Sequence, residues 1–191
     1  LTQIIFSELD SSFISSGIIS IIFGTLFVIT NLDHAKKISL PQAFLLTALS
    51  WISIAIFGSL PFLFSNLDLS ITDSFFESMS GITTTGSTII TNLNDSPKAI
   101  LLWRAMLQWL GGIGIIVMAI TLMPIMNVGG MQLFRISDHN SGEKILPKSK
   151  EITLRLILIY LVLTTICALF YNIFGMGLFD SLTHSMTTIA T

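Results

Sequence analysis

The sequence predicts an all-α membrane protein built from repeated helix–pore loop–helix units. Three observations predict it: long apolar stretches without charge, a Thr/Gly-rich segment lodged between two of them, and a second copy of that pattern downstream. Of the 191 residues, 52% are hydrophobic and 10% charged, and the mean hydropathy is +0.83. A soluble domain carries roughly a quarter charged residues. Here the few charges cluster, so that residues 11–32, 38–67, 105–134 and 156–179 contain none. Each stretch reaches the roughly 20 residues that cross hydrocarbon as a helix.

The basic residues orient these spans. Lys36 and Lys37 separate the first two stretches, and Arg135, Lys144, Lys148, Lys150 and Arg155 separate the last two. Placing both connections in the cytoplasm follows the positive-inside bias. The opposite face then receives Glu8, Asp10, Asp68, Asp73, Glu77, Asp95 and Asp180. Such a rim concentrates cations, although a plain solvated acidic loop fits it equally well. Trp51, Trp103 and Tyr171 suit membrane interfaces. A formal charge of −2 gives no face for nucleic acid. Glu8 and Asp10 stand where a signal peptide would be basic. Cys167 is alone within an apolar stretch and reads as packing rather than disulfide or metal chemistry. No nucleophile–base set or phosphate loop suggests an enzyme: Gly111, Gly112 and Gly114 sit inside an apolar stretch and read as close helix packing. Pro124 is expected to bend that helix.

With this orientation the second stretch ends outside near Asn66, and the third begins outside near Ser96. The chain between is too apolar for a wet loop and too rich in Thr and Gly for a spanning helix. Ser74 and Glu77 fit a capping box, with Asp73 beside them, so a short helix is expected from there to about Gly81. It would reach the bilayer middle and aim the negative end of its dipole at a waiting cation. Next come Thr83, Thr84, Thr85, Gly86, Ser87 and Thr88. Extended backbone at membrane depth is tolerated where it is buried in protein or lines water. Its free carbonyls can then replace the hydration shell of a monovalent cation. Residues 73–88 therefore read as a re-entrant, ion-selecting loop, against the plainer alternative of a Thr/Ser-rich outer turn.

A repeat strengthens the first alternative. A shift of 107 places Asp73 on Asp180, Ser74 on Ser181, Ser78 on Ser185, Met79 on Met186, Ile82 on Ile189 and Thr84 on Thr191. The same shift lays residues 45–66 over 152–173. His184 takes the place of Glu77 and is expected to pack within its helix. The expected organisation is the end of an N-terminal hairpin with a cytoplasmic loop in 1–37, a first repeat in 38–134, a cytoplasmic connection in 135–151, and a second repeat, cut within its filter, in 152–191. Starting at Leu1 and stopping at Thr191, the chain is expected to be a fragment. Arg104, near the start of the third span, either pairs with an acid, Glu77 being the candidate, or snorkels outward.

The runs Phe75-Phe76-Glu77-Ser78-Met79-Ser80-Gly81-Ile82-Thr83-Thr84-Thr85-Gly86-Ser87-Thr88 and Trp103-Arg104-Ala105-Met106-Leu107-Gln108-Trp109-Leu110-Gly111-Gly112-Ile113-Gly114 carry a resemblance, joined by Val128-Gly129-Gly130-Met131-Gln132-Leu133-Phe134-Arg135 and Thr187-Thr188-Ile189-Ala190-Thr191. The chain resembles the TrkH/TrkG/KtrB group of potassium-uptake proteins, within the Trk/Ktr/HKT superfamily. The resemblance implies a pseudo-fourfold potassium pore in the bacterial inner membrane. K+ would be coordinated by the carbonyls of Thr84, Thr85 and Thr191, with Gly86 as filter glycine and Thr83, Ser87 and Ala190 in support. K+ is then the transported ion, moved passively or by symport, and no organic cofactor is implied. Besides membrane lipid, the implied partners are a second copy, forming a homodimer, and a cytoplasmic nucleotide-binding regulatory ring. The polar, basic connection 129–150 reads as a docking surface for a cytoplasmic partner or, equally well, as a plain solvated loop. A sodium-permeable HKT-like carrier and a non-conducting scaffold or sensor of the same fold are the alternatives.

Overall fold

The computed structural model describes residues 11–30, 39–126 and 145–191. Lys36, Lys37, Arg135 and Lys144, which orient the spans, lie outside them, as does 129–144 of the candidate docking surface. The described residues form six α-helices: α1 (Ser12–Thr30), α2 (Leu40–Leu63), α3 (Ile71–Ile82), α4 (Lys98–Met126), α5 (Ile145–Ile173) and α6 (Leu178–Ala190). A 3₁₀ turn at Leu93–Asp95 precedes α4. Among the described residues there is no strand-type ladder.

Four segments are long and apolar enough to span a membrane: Ser12–Thr30, Pro41–Leu63, Lys98–Ala119 and Glu151–Ile173. Large apolar side chains such as Ile21, Phe27, Leu45, Leu158 and Leu169 point outward, as expected of helices solvated by lipid. The third span begins at Lys98 and takes in Arg104, whereas the charge-free rule starts it at Ala105. A paired arginine does not end a span, and Arg104 is paired with Glu77. Helix α4 also continues two residues past Pro124. Helix α5 begins at Ile145, inside the segment read as a connection.

Two helices are short because their sequences supply starts and stops. Ser70 caps α3: its Oγ accepts from the Asp73 N–H at 3.1 Å, and the Asp73 carboxylate accepts from the Ser70 N–H at 3.2 Å. This corrects the expected Ser74–Glu77 box. Both pairs have the capping spacing, but Ser74 and Glu77 are buried, which leaves the exposed pair one turn earlier to meet the free amides. With 12 residues, α3 is about 18 Å long, a little over half of a ~30 Å hydrocarbon core.

Helix α3 packs between α2 and α4, and α6 packs between α4 and α5. Helix α4 is thus common to both short helices, and adjacent glycines let it approach each. A Cβ on Gly111 would fall 2.1 Å from the Ile82 carbonyl oxygen at the end of α3. One on Gly112 would fall 3.1 Å from Ala190 Cα at the end of α6. Polar side chains join the helices too. The Trp103 indole donates to the Gly58 carbonyl at 2.9 Å, Trp109 donates to Thr164 Oγ1 at 3.0 Å, and the Tyr160 hydroxyl donates to the Trp109 carbonyl at 3.0 Å. Trp51 reaches Met118 Sδ, and Tyr171 pairs with Thr188. All three aromatics assigned to membrane interfaces therefore make contacts between helices.

Candidate functional site

The site is the non-helical segment 83–90, which leaves the C-terminal end of α3 and runs back along it. Two residues set its path by adopting positive φ: Thr84 at 59° and Gly86 at 73°. Glycine takes this conformation without the Cβ penalty; at Thr84 the backbone is held by its own hydrogen bonds. The Thr84 N–H donates to the Gly81 carbonyl at 2.9 Å, and the Gly86 N–H donates to the Ser80 carbonyl at 3.2 Å. Ser80 Oγ donates to the Ser87 carbonyl at 2.6 Å, while Thr83 Oγ1 donates to the Met79 carbonyl and lies 2.9 Å from Thr85 Oγ1. The last turn of α3 is thus a template for the strand.

This bracing is selective. The amides of Thr83, Thr84, Gly86 and Ile89 and the hydroxyls of Thr83 and Thr88 donate to α3, and the Ser87 carbonyl is taken. Among the described residues, no protein donor is hydrogen-bonded to the carbonyls of Thr83, Thr84, Thr85 or Gly86. These carbonyls are left to meet water or a bound cation, since every backbone acceptor seeks a partner.

The outer part of the segment is held by Glu77. This side chain is 1% exposed, and its Oε1 accepts from the Thr88 hydroxyl and from the Ile89 N–H at 2.7 Å. Its Oε2 receives Arg104 Nε from α4 at 2.8 Å. A carboxylate buried in this way is compensated by charge and by hydrogen bonds together.

Thr85 and Gly86 open on a cavity of about 550 Å³, shared with Arg104 and Gln108 of α4 and with His184 and Thr191 of α6. His184 is exposed and lines this cavity, which corrects its expected packing role. Thr191 caps α6, its Oγ1 donating to the Thr187 carbonyl at 2.8 Å. Ala190 lies against Gly112.

Gln108 was not anticipated. Its Nε2 donates to Thr191 Oγ1 at 2.7 Å, and a Cβ added to Gly86 would lie 3.4 Å from that same nitrogen. It brings Gly86 and Thr191 together. The available signal was an amide inside an apolar stretch, four residues after Arg104 and so on the same helix face. Ser80 carried no signal beyond its place in α3.

Residues 9–191 match the TrkH family profile, described as a cation transport protein. The Trk system potassium uptake protein TrkH of Vibrio parahaemolyticus is 41% identical over 181 residues, covering 93% of this chain and 37% of that protein. The Trk system potassium uptake protein TrkI of Halomonas elongata is 44% identical over 150 residues, covering 78% and 30%. The crystal structure of the potassium transporter TrkH from Vibrio parahaemolyticus superposes with a TM-score of 0.73 at 37% identity, covering 92% of this chain and 35% of that one. The chain spans 30–37% of the length of these relatives. The family is one of transporters and not of enzymes. With four spans and these kin, this is a multi-pass protein of the bacterial inner membrane. The chain belongs to the TrkH family of cation transport proteins.

Proposed function

We propose that the chain forms part of a potassium-uptake protein whose selectivity filter includes the carbonyls of Thr84, Thr85 and Gly86. The observation that carries this reading is the set of carbonyls at 83–86 without protein donors, on a segment braced against α3 through the amides of Thr83, Thr84 and Gly86 and the hydroxyl of Thr83. A dehydrated monovalent cation is the partner such oxygens fit. The C-terminal end of α3 adds partial negative charge beside it. The names of the relatives, potassium uptake proteins of the Trk system, support K+ as the ion.

Thr191 holds in α6 the place of Thr84 after α3, and we assign it to the second filter strand. Thr83, Ser87 and Ala190 act in support, and Glu77 with Arg104 is the structural charge pair. The element order, long helix, short helix, non-helical segment and long helix in 38–134 and again a long and a short helix in 152–191, supports the repeat. A ring of carbonyls needs about four contributors, so a pseudo-fourfold pore would be completed by chain beyond this segment. A homodimer and a cytoplasmic nucleotide-binding ring rest on the family resemblance.

The test is transport by the full-length protein. It should restore growth of potassium-transport-deficient cells at low external potassium and carry rubidium. Membrane-inserted protein that moves no rubidium contradicts the proposal.

A further inference from the structure

The geometry points to Gln108 as a positioning residue for ion selectivity: an amide on α4 that fixes the Gly86 corner of the first proposed filter strand relative to Thr191 of the second. The inference rests on the filter reading above and adds to it a residue that touches no ion.

Gln108 is 9% exposed and sits on a membrane-spanning helix, where a polar side chain is costly unless it is bonded. Its bond goes across the boundary between the two repeats. Nε2 donates to Thr191 Oγ1 at 2.7 Å, 83 positions away. The Thr191 hydroxyl proton is committed in turn to the Thr187 carbonyl at 2.8 Å. The hydroxyl can therefore only accept from Gln108, and the two bonds polarise each other in one direction. The α6 terminus is fixed to α4 through this chain.

The other side of the same carboxamide faces Gly86. A Cβ built there would meet Nε2, Oε1 and Cδ at 3.4, 3.7 and 3.9 Å. The amide thus borders the space that a side chain would enter at the residue that turns the strand with φ of 73°. One turn earlier on α4, Arg104 holds Glu77, and Glu77 holds Thr88 and Ile89. Arg104 thus holds the outer end of the segment through Glu77, and Gln108, bonded to Thr191, stands beside its turn. Gly111 and Gly112 bring α4 close enough for both contacts. A carbonyl filter discriminates ions by the spacing and stiffness of its oxygens. Freeing the turn should change which ion is preferred more than it changes whether ions pass.

The experiment uses the full-length protein in proteoliposomes and reads rubidium uptake together with its inhibition by sodium, normalised to inserted protein. Gln108→Met keeps the length of the side chain and removes the donor. Thr191→Val removes the acceptor at the other end and serves if the first variant inserts poorly. Each should lower rubidium-over-sodium preference by roughly three- to tenfold, the worth of about one net hydrogen bond. The double variant should be no worse than Thr191→Val alone, because that variant already removes the Gln108 bond along with the Thr191–Thr187 bond. Unchanged preference in the single variants, or losses that multiply in the double variant, overturns the inference. Gly86→Ser separates this from the filter reading. If that variant loses preference while Gln108→Met keeps it, only the role of Gln108 fails. If all the variants keep it, the filter assignment fails as well.

Discussion

Arg104 reaches back 27 positions to Glu77, placing its Nε 2.8 Å from Oε2, while the other carboxylate oxygen carries the backbone at Ile89. The pair is a clamp, one half on α4 and one on α3, with segment 83–90 held by its acidic member. Arg104→Met would leave a buried carboxylate without its counter-charge, a loss of about 3–5 kcal/mol. Thermal unfolding of the full-length protein in detergent should show the drop. Adding Glu77→Gln to Arg104→Met should restore part of it by removing the stranded charge.

The glycines of α4 should differ sharply in tolerance. Gly111→Ala puts a methyl group 2.1 Å from a backbone oxygen, and overpacking of this kind costs about 1–3 kcal/mol or more. Gly114→Ala meets only Trp51 ring atoms at 3.5 Å, an ordinary contact, and should stay within about 0.5 kcal/mol of the parent. Paired melting curves of the two variants check this.

The position of the α3 cap yields a contrast between two serines. Ser70→Ala removes the acceptor for the Asp73 amide and should cost about 1 kcal/mol. Ser74 Oγ is buried with no hydrogen-bond partner, so Ser74→Ala should be neutral or slightly stabilising. Hydrogen exchange of the first-turn amides of α3 should speed up in the first variant and not in the second.

Gly86→Ser tests the proposed filter turn. The φ of 73° costs a residue with a Cβ about 1–2 kcal/mol, and the new Cβ would come into contact with Gln108 at 3.4 Å. Relief of that strain displaces the adjacent carbonyls. Rubidium-over-sodium preference in uptake should fall on the order of tenfold.

The spans were legible because lipid demands long apolar runs and little else. Their edges were less so: counting charges ends the third span at Arg104, since a one-dimensional reading does not know that Glu77 neutralises it. The capping signal was real but doubly present, and only burial decides that Ser70–Asp73 caps while Ser74 and Glu77 turn inward. Among the proposed site residues, Thr84, Thr85 and Gly86 stood out by composition and by their place after a short helix. Ser80 and Gln108 did not, because their roles are tertiary: one bonds the Ser87 carbonyl beside its own helix, the other bonds Thr191 from a neighbouring helix. The repeat puts His184 in the place of Glu77 but does not carry over its environment: Glu77 is buried, whereas His184 is exposed and lines the cavity.

In the proposed filter a cation meets the carbonyls of residues 84–86. Diffraction from the full-length protein grown in rubidium, collected at the rubidium absorption edge, tests it most directly. The account predicts an anomalous peak within coordination distance of the Thr84, Thr85 or Gly86 carbonyl oxygens. A rubidium peak elsewhere in the pore, with none at these oxygens, would contradict it.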